Sequence, residues 1–304
     1  MTPQIMERAV NIASSCGKQI HFQISGGEPC LNREMIFKTV RKIRKTVPDA
    51  DIALQTNATC LDDELVFFFK ESDIQLGVSL DGTQDVHEKQ RGSFRDTIIG
   101  IERLEKFNVP WRATAVVTAD SIGELWRLVL LVARFGTVRG IGLDFLTLKG
   151  RAKENSVITA SPEAVRYGIE RFLDALDVVN QNRTSRILFR ESEKVLVRNR
   201  TPYFCYAAKG ESMAVYPDGT VYPCSQLCGE REWCAGEISK KIDWSLLKIK
   251  NTTLNNESCA SCELDGICPG DCPARLMYNN EIVRKNICAL YQAIAKRNRR
   301  DVLL

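Results

Sequence analysis

Several residue types and patterns are scarce in this sequence, and each scarcity excludes a class of function. Histidine occurs only twice, at His21 and His87, which excludes a metal centre built mainly on imidazole. The chain has 42 basic and 38 acidic residues, so it lacks the basic excess typical of a nucleic-acid-binding protein. It also lacks an apolar run long enough to span a bilayer and the basic start of a signal peptide. These absences predict a cytoplasmic protein without membrane or nucleic-acid partners.

Cysteine, in contrast, is abundant and regularly spaced near the C-terminus. The chain has 12 cysteines, and in a cytoplasmic protein so many thiols favour metal ligation over disulfides. Seven of them follow the order Cys-x13-Gly-x4-Cys, Cys-x2-Cys-x5-Cys-x3-Cys and a last cysteine; they are Cys205, Cys224, Cys259, Cys262, Cys268, Cys272 and Cys288. The stretch 259–272 contains Gly266, Pro269 and Gly270, so it is no regular helix or strand. The tail is therefore predicted to fold around metal or clusters held by thiolates.

The first half of the chain alternates strand-like runs with helical patterns. It begins with a helix that Thr2 caps and Pro3 starts. Five runs have the composition of strands: 20–25, 51–56, 74–80, 111–117 and 140–146. Strands separated by helices are typical of βαβ units, which form a parallel sheet or barrel. In such folds the active site lies at the carboxyl ends of the strands.

The rest of the sequence divides into a bridge and a cysteine-rich region. A helix is predicted from Pro162 to about Asn180, followed by a short strand at 186–190. Residues 213–222 predict a hairpin with Pro-Asp-Gly at its turn. We therefore expect three parts, at 1–160, 161–200 and 201–304.

The ends of the first three predicted strands carry residues suited to a small polar ligand. The motifs are Gly26-Gly27-Glu28-Pro29, Thr56-Asn57 and Ser79-Leu80-Asp81-Gly82. Paired glycines let a ligand approach the backbone closely, and the glutamate adds a carboxylate able to accept hydrogen bonds from an ammonium group. Taken singly, each motif also suits a tight turn or a helix cap.

In combination, these motifs resemble the radical S-adenosylmethionine enzymes. Three strand ends are similar to that superfamily: Gly-Gly-Glu-Pro after one strand, Gln-Thr-Asn-Ala-Thr after the next and Val-Ser-Leu-Asp-Gly after the third. His87 and Arg91 follow just beyond the third motif. The seven-cysteine order resembles its C-terminal SPASM domain, found in peptide-modifying maturases and anaerobic sulfatase maturases. The resemblance implies an α/β fold: a partial (βα)6 barrel lacking its first strand, followed by a small cysteine-rich SPASM domain.

The resemblance also implies which residues bind cofactors. The turn Gly26, Gly27, Glu28 and Pro29 would bind the methionine amino group of S-adenosylmethionine. Further contacts to the same cofactor are expected from Asn57, Ser79 and Arg91. Two auxiliary 4Fe–4S clusters are expected, the first held by Cys205, Cys224 and Cys272, and the second by Cys259, Cys262, Cys268 and Cys288. No catalytic residue is identified by the resemblance.

Some alternatives stay open for the tail. Two thiolate zinc sites are the rival interpretation, because zinc also accepts Cys-x2-Cys pairs. Some relatives have an extra cysteine where residues 198–200 read Arg-Asn-Arg, so the fourth ligand of the first cluster is either Cys228 or Cys234, or the cluster keeps an open iron site. In sulfatase maturases an aspartate follows the second cysteine of the SPASM order, whereas Ser225 stands there in this chain.

The chain departs from the superfamily in one larger respect. It contains no Cys-x3-Cys-x2-Cys run, which in the superfamily binds the cluster that cleaves S-adenosylmethionine. We expect this run to precede the present sequence in a full-length form, and only that form is expected to hold the third cluster. A degenerate protein that has lost radical chemistry is the alternative.

The predicted function is a maturase that installs a cross-link or similar modification on a ribosomally made peptide. A ferredoxin or flavodoxin is expected as electron donor. The alternatives are an enzyme acting on a tetrapyrrole or quinone precursor, and a non-catalytic iron–sulfur electron carrier or scaffold.

Overall fold

A computed structural model describes residues 1–17, 19–196, 203–249, 259, 261–265, 268, 270–279 and 281–302. Its helices are α1 Pro3–Ser14, α2 Arg33–Thr46, α3 Asp63–Glu71, α4 Gln84–Gln90, α5 Phe94–Lys106, α6 Leu125–Val132, α7 Arg151–Glu154, α8 Pro162–Gln181, α9 Arg190–Leu196, α10 Tyr206–Lys209, α11 Pro273–Tyr278 and α12 Glu281–Val302. Its strands are β1 His21–Ile24, β2 Asp51–Thr56, β3 Ile74–Ser79, β4 Trp111–Val117, β5 Val138–Phe145, β6 Leu188–Phe189, β7 Ala214–Val215, β8 Thr220–Tyr222 and β9 Gly236–Glu237.

The first six strands form one parallel sheet in chain order, with helices between them. This arrangement confirms the predicted α/β class. Strands β2 and β4 have the predicted bounds, and β5 begins two residues earlier than predicted, at Val138. Strand β6 has 2 residues. It is shorter than predicted because its pairing with β5 is limited to Leu188 and Phe189, and α9 begins at Arg190.

The sheet has one apolar and one polar face. Buried and less buried residues alternate along β2 and β4, as expected for strands whose successive side chains point to opposite faces. The buried set, including Leu54 and Ala113, packs against the helices in the main hydrophobic core. The other set includes Gln55, Ser79 and Arg112, so this face is polar although parallel sheets usually bury both faces.

A glycine allows α5 to lie close to the loop after β2. A Cβ at Gly100 would lie 2.1 Å from the carbonyl oxygen of Ala58. Ala58 itself has a φ of +65°, a left-handed conformation that an L-residue adopts only when its surroundings hold it. The close approach therefore fixes the position of the loop that follows β2.

The C-terminal helix α12 packs in the same core as the sheet. Leu290 and Tyr291 of α12 are buried together with Phe172 of α8. Arg297 of α12 pairs with Asp174 and Asp177 of α8. The end of the cysteine-rich region is thus attached to the helix that follows the first five strands.

A second attachment holds the loop after β5. The Arg275 guanidinium donates to the carbonyl oxygen of Phe145 at 3.0 Å. The Asn279 amide donates to the carbonyl oxygen of Leu146 at 2.8 Å and accepts from the backbone nitrogen of Leu148 at 2.8 Å. These bonds satisfy backbone groups of a buried loop, which would otherwise be costly to desolvate. We name this set of bonds between Arg275, Asn279 and the loop 145–148 the β5 clamp.

The predicted hairpin is present near the start of the cysteine-rich region. Strands β7, β8 and β9 form an antiparallel sheet. Gly219 has a φ of +95°, which the turn requires and which glycine adopts without steric cost. Asp218 stabilises the turn because its Oδ1 accepts a hydrogen bond from Thr220 N at 2.8 Å. Across the residues that the structure describes, no helix is long and apolar enough to cross a membrane.

The close approach at Gly100 predicts a large effect of a small substitution. We expect Gly100→Ala to lower the free energy of unfolding by about 2 kcal/mol, because the new methyl group meets a backbone oxygen that cannot move freely. Gly123→Ala is the matched control, since a Cβ there meets no heavy atom within 4 Å. Urea denaturation of the three proteins measures the difference. Equal stability of the two variants would contradict the proposed packing.

The β5 clamp predicts a second stability effect. We expect Asn279→Ala to destabilise the protein by about 2–4 kcal/mol, because it leaves a buried carbonyl and a buried backbone N–H without partners. Asn11→Ala, on the exposed face of α1, is the control and should change stability little. Thermal unfolding followed by circular dichroism compares the two. A wild-type melting temperature for Asn279→Ala would show that the clamp contributes nothing.

Candidate cofactor and cluster site

Glu28 ties the carboxyl ends of β1 and β2 together. Its Oε1 accepts hydrogen bonds from the Thr56 hydroxyl at 2.7 Å and from Cys30 N at 3.0 Å, and its Oε2 accepts from Asn57 N at 2.7 Å. The same side chain caps the short 3-10 helix Pro29–Asn32. Both carboxylate oxygens therefore take part in hydrogen bonds within the chain, so Glu28 shapes the turn, while Oε2 keeps one further acceptor site.

The two glycines before Glu28 are exposed. A Cβ at Gly26 or Gly27 would meet no heavy atom within 4 Å, so the space beside this backbone is open. Backbone carbonyl groups are hydrogen-bond acceptors and suit an ammonium ligand. The turn therefore fits the methionine end of S-adenosylmethionine through its backbone.

Asn57 and Ser79 are both engaged within the protein. Asn57 Oδ1 accepts from the backbone nitrogen of Thr59 at 3.0 Å and from its hydroxyl at 2.8 Å, which closes the turn after β2. The Ser79 hydroxyl accepts from Gln55 Nε2 at 3.0 Å. A Cβ at Gly77 would lie 2.1 Å from Gln55 Oε1, so the glycine leaves room for this glutamine side chain across β3. Both predicted residues lie at neighbouring strand ends, as expected, and hold the local structure.

Arg91 forms a bidentate ion pair with Asp81. Its Nε donates to Oδ2 at 2.6 Å and its Nη2 to Oδ1 at 3.1 Å, and the Asp81 side chain is 2% exposed. Asp81 Oδ1 also accepts from the backbone nitrogen of Val116. The Asp81 backbone nitrogen donates to Nδ1 of His87, whose pKa is lowered by burial. This network joins the end of β3 to β4 and gives Arg91 a structural role next to the predicted cofactor position.

A group of charged side chains at the ends of β5 and β6 was not predicted from the sequence. The Arg190 guanidinium donates to Asp144 Oδ1 at 2.7 Å through Nη2 and to Glu191 Oε1 at 2.6 Å through Nε. Glu191 is buried and also accepts from the backbone nitrogen of Leu143 at 3.1 Å. Arg190 lies over Gly142, where a Cβ would approach its Cζ to 2.8 Å. An aspartate at a strand end was the available signal, but its partners come from a segment 46 residues later in the chain.

The seven cysteines of the regular order lie in two groups. In the first group, the Cys224 thiol interacts electrostatically with those of Cys272 and Cys205. In the second, the Cys288 thiol interacts with Cys268, Cys259 and Cys262. The resemblance implies these same two sets as cluster ligands, which stays a prediction. We name them the first thiol group and the second thiol group.

The chemistry of both groups fits iron–sulfur clusters better than an isolated role for each thiol. Burial raises the pKa of Cys224 and of Cys288 to about 11, so a metal is needed to stabilise their thiolates. Cys224 also accepts hydrogen bonds from the backbone nitrogens of Gln226 and Leu227, which are bonds of the kind that tune cluster potentials. Within the described ranges, no three Cys, His, Asp or Glu side chains converge closely enough to hold a metal ion. The ligand assignment therefore stays a prediction.

The thiols of the two alternative ligands for the first cluster are each hydrogen-bonded to a backbone carbonyl. The Cys228 thiol donates to the carbonyl oxygen of Cys224 at 3.7 Å and lies near the Lys149 ammonium group. The Cys234 thiol donates to the carbonyl oxygen of Gly236 at 3.6 Å. Residues 198–200, where some relatives have a cysteine, lie outside the described residues.

The remaining three cysteines are separate from both thiol groups. Cys30 is buried beside Thr56, and burial raises its pKa to about 12. Cys16 and Cys60 are exposed. All three lie in the first 60 residues, Cys16 and Cys60 in turns and Cys30 in the short 3-10 helix.

A cavity of about 420 Å³ lies between the strand ends and the first thiol group. Strand β5 and the loop after it contribute one wall, from Leu143 to Thr147, and Arg190 and Glu191 extend it. Cys272, Gln226 and Arg275 contribute the opposite wall. The cavity thus connects the polar carboxyl ends of the strands with the cysteine-rich region. Active sites of α/β proteins lie at such strand ends.

The chain is similar to proteins of known family. Residues 1–132 match a family model described as the radical SAM superfamily. An uncharacterized protein of Methanocaldococcus jannaschii is 31% identical over 252 residues, which are 81% of this chain and 82% of that protein. A cysteine-type anaerobic sulfatase-maturating enzyme of Clostridium novyi is 24% identical over 289 residues, covering 88% of this chain and 76% of the enzyme.

A solved structure supports the fold. The structure of native anSMEcpe with bound AdoMet and Kp18Cys peptide has a TM-score of 0.75 to this chain at 20% identity, and the match covers 100% of this chain and 90% of that one. At this identity the likeness establishes the shared architecture. The protein belongs to the radical SAM superfamily. The family match over the strand ends shows this membership, together with the relatives that span most of the chain.

Proposed function

We propose that this protein is a radical SAM maturase that installs a cross-link or similar modification on a ribosomally made peptide. The observation that carries the proposal is the cavity that has strand ends on one side and Cys272 of the first thiol group on the other. The relatives named as sulfatase-maturating enzymes and the peptide-bound solved structure support a peptide as the substrate. An auxiliary cluster at the first thiol group would then lie beside the substrate.

The chain's own residues would bind and orient the reactants. When bound, S-adenosylmethionine and its cluster supply a 5′-deoxyadenosyl radical that removes a hydrogen atom from the substrate. The backbone of Gly26 and Gly27 would hold the amino group of the cofactor, while Glu28 keeps that turn in place. The apolar side chains of Leu143, Phe145 and Leu146 would exclude water from the substrate.

The size of the cavity favours a peptide over the small-molecule alternative. A volume of about 420 Å³ is near the lower end of the range for drug-sized ligands, and it suits one or two amino-acid side chains rather than a tetrapyrrole. The polar sheet face argues against a non-catalytic scaffold, because a scaffold does not need Gln55, Ser79 and Arg112 on the inner face of a parallel sheet. The proposal also includes two auxiliary clusters, a ferredoxin or flavodoxin as electron donor, and a cytoplasmic location.

The two thiol groups predict the iron content. We expect anaerobically reconstituted protein to bind about eight irons in two clusters, because each group supplies the thiolates of one 4Fe–4S centre. Cys288→Ser should reduce the iron content to about half, since it removes one ligand of the second group only. Iron analysis with absorption and electron paramagnetic resonance spectra measures both.

Cys16→Ser is the control for the iron measurement. This exposed cysteine lies two residues after α1, outside both groups, so its loss should leave the iron content unchanged. Stoichiometric zinc without iron–sulfur absorbance would reject the clusters and support the zinc alternative. An unchanged iron content in Cys288→Ser would reject the ligand assignment.

The missing Cys-x3-Cys-x2-Cys run predicts the behaviour of the present chain. We expect it to form no 5′-deoxyadenosine from S-adenosylmethionine and dithionite, because it has no triplet to hold the cleaving cluster. Liquid chromatography of the reaction mixture measures this product. Clear turnover would show that another set of residues holds that cluster.

The substrate class is tested with a protein that carries a Cys-x3-Cys-x2-Cys run. The codons upstream of Met1 are read in frame for the cysteine triplet, and a protein that includes it is incubated with peptides encoded beside the gene. Loss of two hydrogen atoms from a peptide, seen by mass spectrometry together with 5′-deoxyadenosine, is the expected result. A stop codon close upstream would instead support the non-catalytic alternative.

A further inference from the structure

Tyr291 is a buried tyrosine whose hydroxyl lacks a partner in the described part of the chain. It lies on α12, lines the cavity beside the first thiol group and is 1% exposed. None of the described residues forms a hydrogen bond with its hydroxyl. Burial, together with the nearby Glu191 carboxylate, raises the pKa of this phenol above its usual value, so the hydroxyl stays protonated. Buried tyrosine hydroxyls normally have a hydrogen-bond partner, and here a ligand in the cavity can supply one.

The carboxylates and guanidinium groups that line the cavity are, in contrast, paired with each other or with a neighbour. The Arg190 guanidinium donates to Asp144 Oδ1 at 2.7 Å and to Glu191 Oε1 at 2.6 Å. Arg275, in the opposite wall, donates through Nε to Asp271 Oδ1 at 2.8 Å. The lining thus contains two carboxylates and two guanidinium groups, each with a partner of opposite charge. A charged ligand would lose its hydration here without gaining a free counter-ion, so the cavity suits an uncharged group.

Two further side chains of the lining are polar and uncharged. Thr147 follows the end of β5, and Gln226 lies in the opposite wall. The Thr147 hydroxyl and the Gln226 side-chain amide also make no hydrogen bond to a described residue. Phe145 and Leu146 make the surroundings partly apolar, which strengthens a hydrogen bond relative to water. A carboxamide has a carbonyl oxygen that can accept from Tyr291 and an N–H that can donate to Thr147 or Gln226, so it matches this set of groups.

We propose that the cavity binds a carboxamide group of the peptide substrate, with the Tyr291 hydroxyl donating a hydrogen bond to its carbonyl oxygen. A carboxamide occurs in the side chains of asparagine and glutamine and in the peptide bond itself. The proposal rests on the proposed function in one respect, namely that the ligand is part of a peptide. It makes Tyr291 a binding residue that positions the peptide in the cavity lined by Cys272.

The test compares four small probes on the present chain after anaerobic reconstitution. They are pentanamide, which has the amide of a glutamine side chain, N-methylpentanamide, which resembles a peptide bond, and the ions pentanoate and pentylammonium. We expect the better amide to bind about tenfold more tightly than either ion, because an ion finds no free counter-ion in the cavity. Ligand-observed nuclear magnetic resonance titration measures these weak affinities. Tighter binding of pentanamide identifies a side-chain amide as the bound group, and tighter binding of N-methylpentanamide identifies the peptide bond.

Two variants connect the amide preference to one hydroxyl. Tyr291→Phe keeps the buried ring and removes the hydroxyl, so it should weaken the binding of the amides about three- to tenfold and leave the binding of the ions unchanged. Tyr167→Phe is the matched control, because Tyr167 lies on α8, is 62% exposed and is outside the cavity lining. It should leave all four affinities unchanged. Circular dichroism shows whether both variants fold, and the preference for amides over ions in the wild-type protein provides a second measurement that needs no variant.

Several outcomes would overturn the proposal. They are binding of either ion as tightly as the better amide, no binding of either amide at millimolar concentration, and amide binding that is as tight in Tyr291→Phe as in the wild-type protein. The measurement uses neither S-adenosylmethionine nor turnover. Amide binding that depends on Tyr291, without peptide modification by a protein that carries the cysteine triplet, would reject only the proposed function. Peptide modification without an amide preference would reject only this inference.

Discussion

The β5 clamp is the interaction on which the candidate site depends. The loop after β5 leaves the sheet at Phe145, and hydrogen bonds from Arg275 and Asn279 fix its backbone. Arg275 is itself held by Asp271, whose Oδ1 also accepts from the backbone nitrogen of Cys272 at 2.7 Å. Breaking a buried ion pair of this kind costs about 3–5 kcal/mol, because the other charge is left without a partner. This network of hydrogen bonds around Arg275 thus fixes the distance between the carboxyl end of β5 and the first thiol group.

The polar face of the sheet has a related explanation. An open barrel needs only its outer face to bury apolar side chains against helices, so the inner face is free to carry Gln55, Ser79 and Arg112. Hydrogen bonds within the chain hold most of these groups, and Glu28 alone accepts three. Such preorganised groups position a ligand without a further ordering cost. The strand ends are therefore rigid, and the space next to Gly26 and Gly27 stays open.

Much of the fold was predictable because its signals are local. Residues next to each other in the chain determine the capping of α1 by Thr2, the bounds of β2 and β4, and the turn at Gly219. The short β6 was predicted too long, because its length depends on pairing with β5 rather than on its own composition. The roles of strand-end residues were less predictable. Sequence alone does not show that both oxygens of Glu28 are already used, or that Asn57 closes a turn.

The sequence by itself determined the α/β class, the positions of the strand ends and the existence of a thiol-rich tail, because periodicity and spacing are properties of short segments. Only the tertiary structure decided that Asp144, Arg190 and Glu191 form one charged group, and that Asp271 and Arg275 attach the tail to β5. These contacts join residues that lie far apart in the chain, some of them by 130 positions. Their physical basis is the pairing of charged groups with each other and with backbone carbonyls that the fold brings together, which no local pattern encodes.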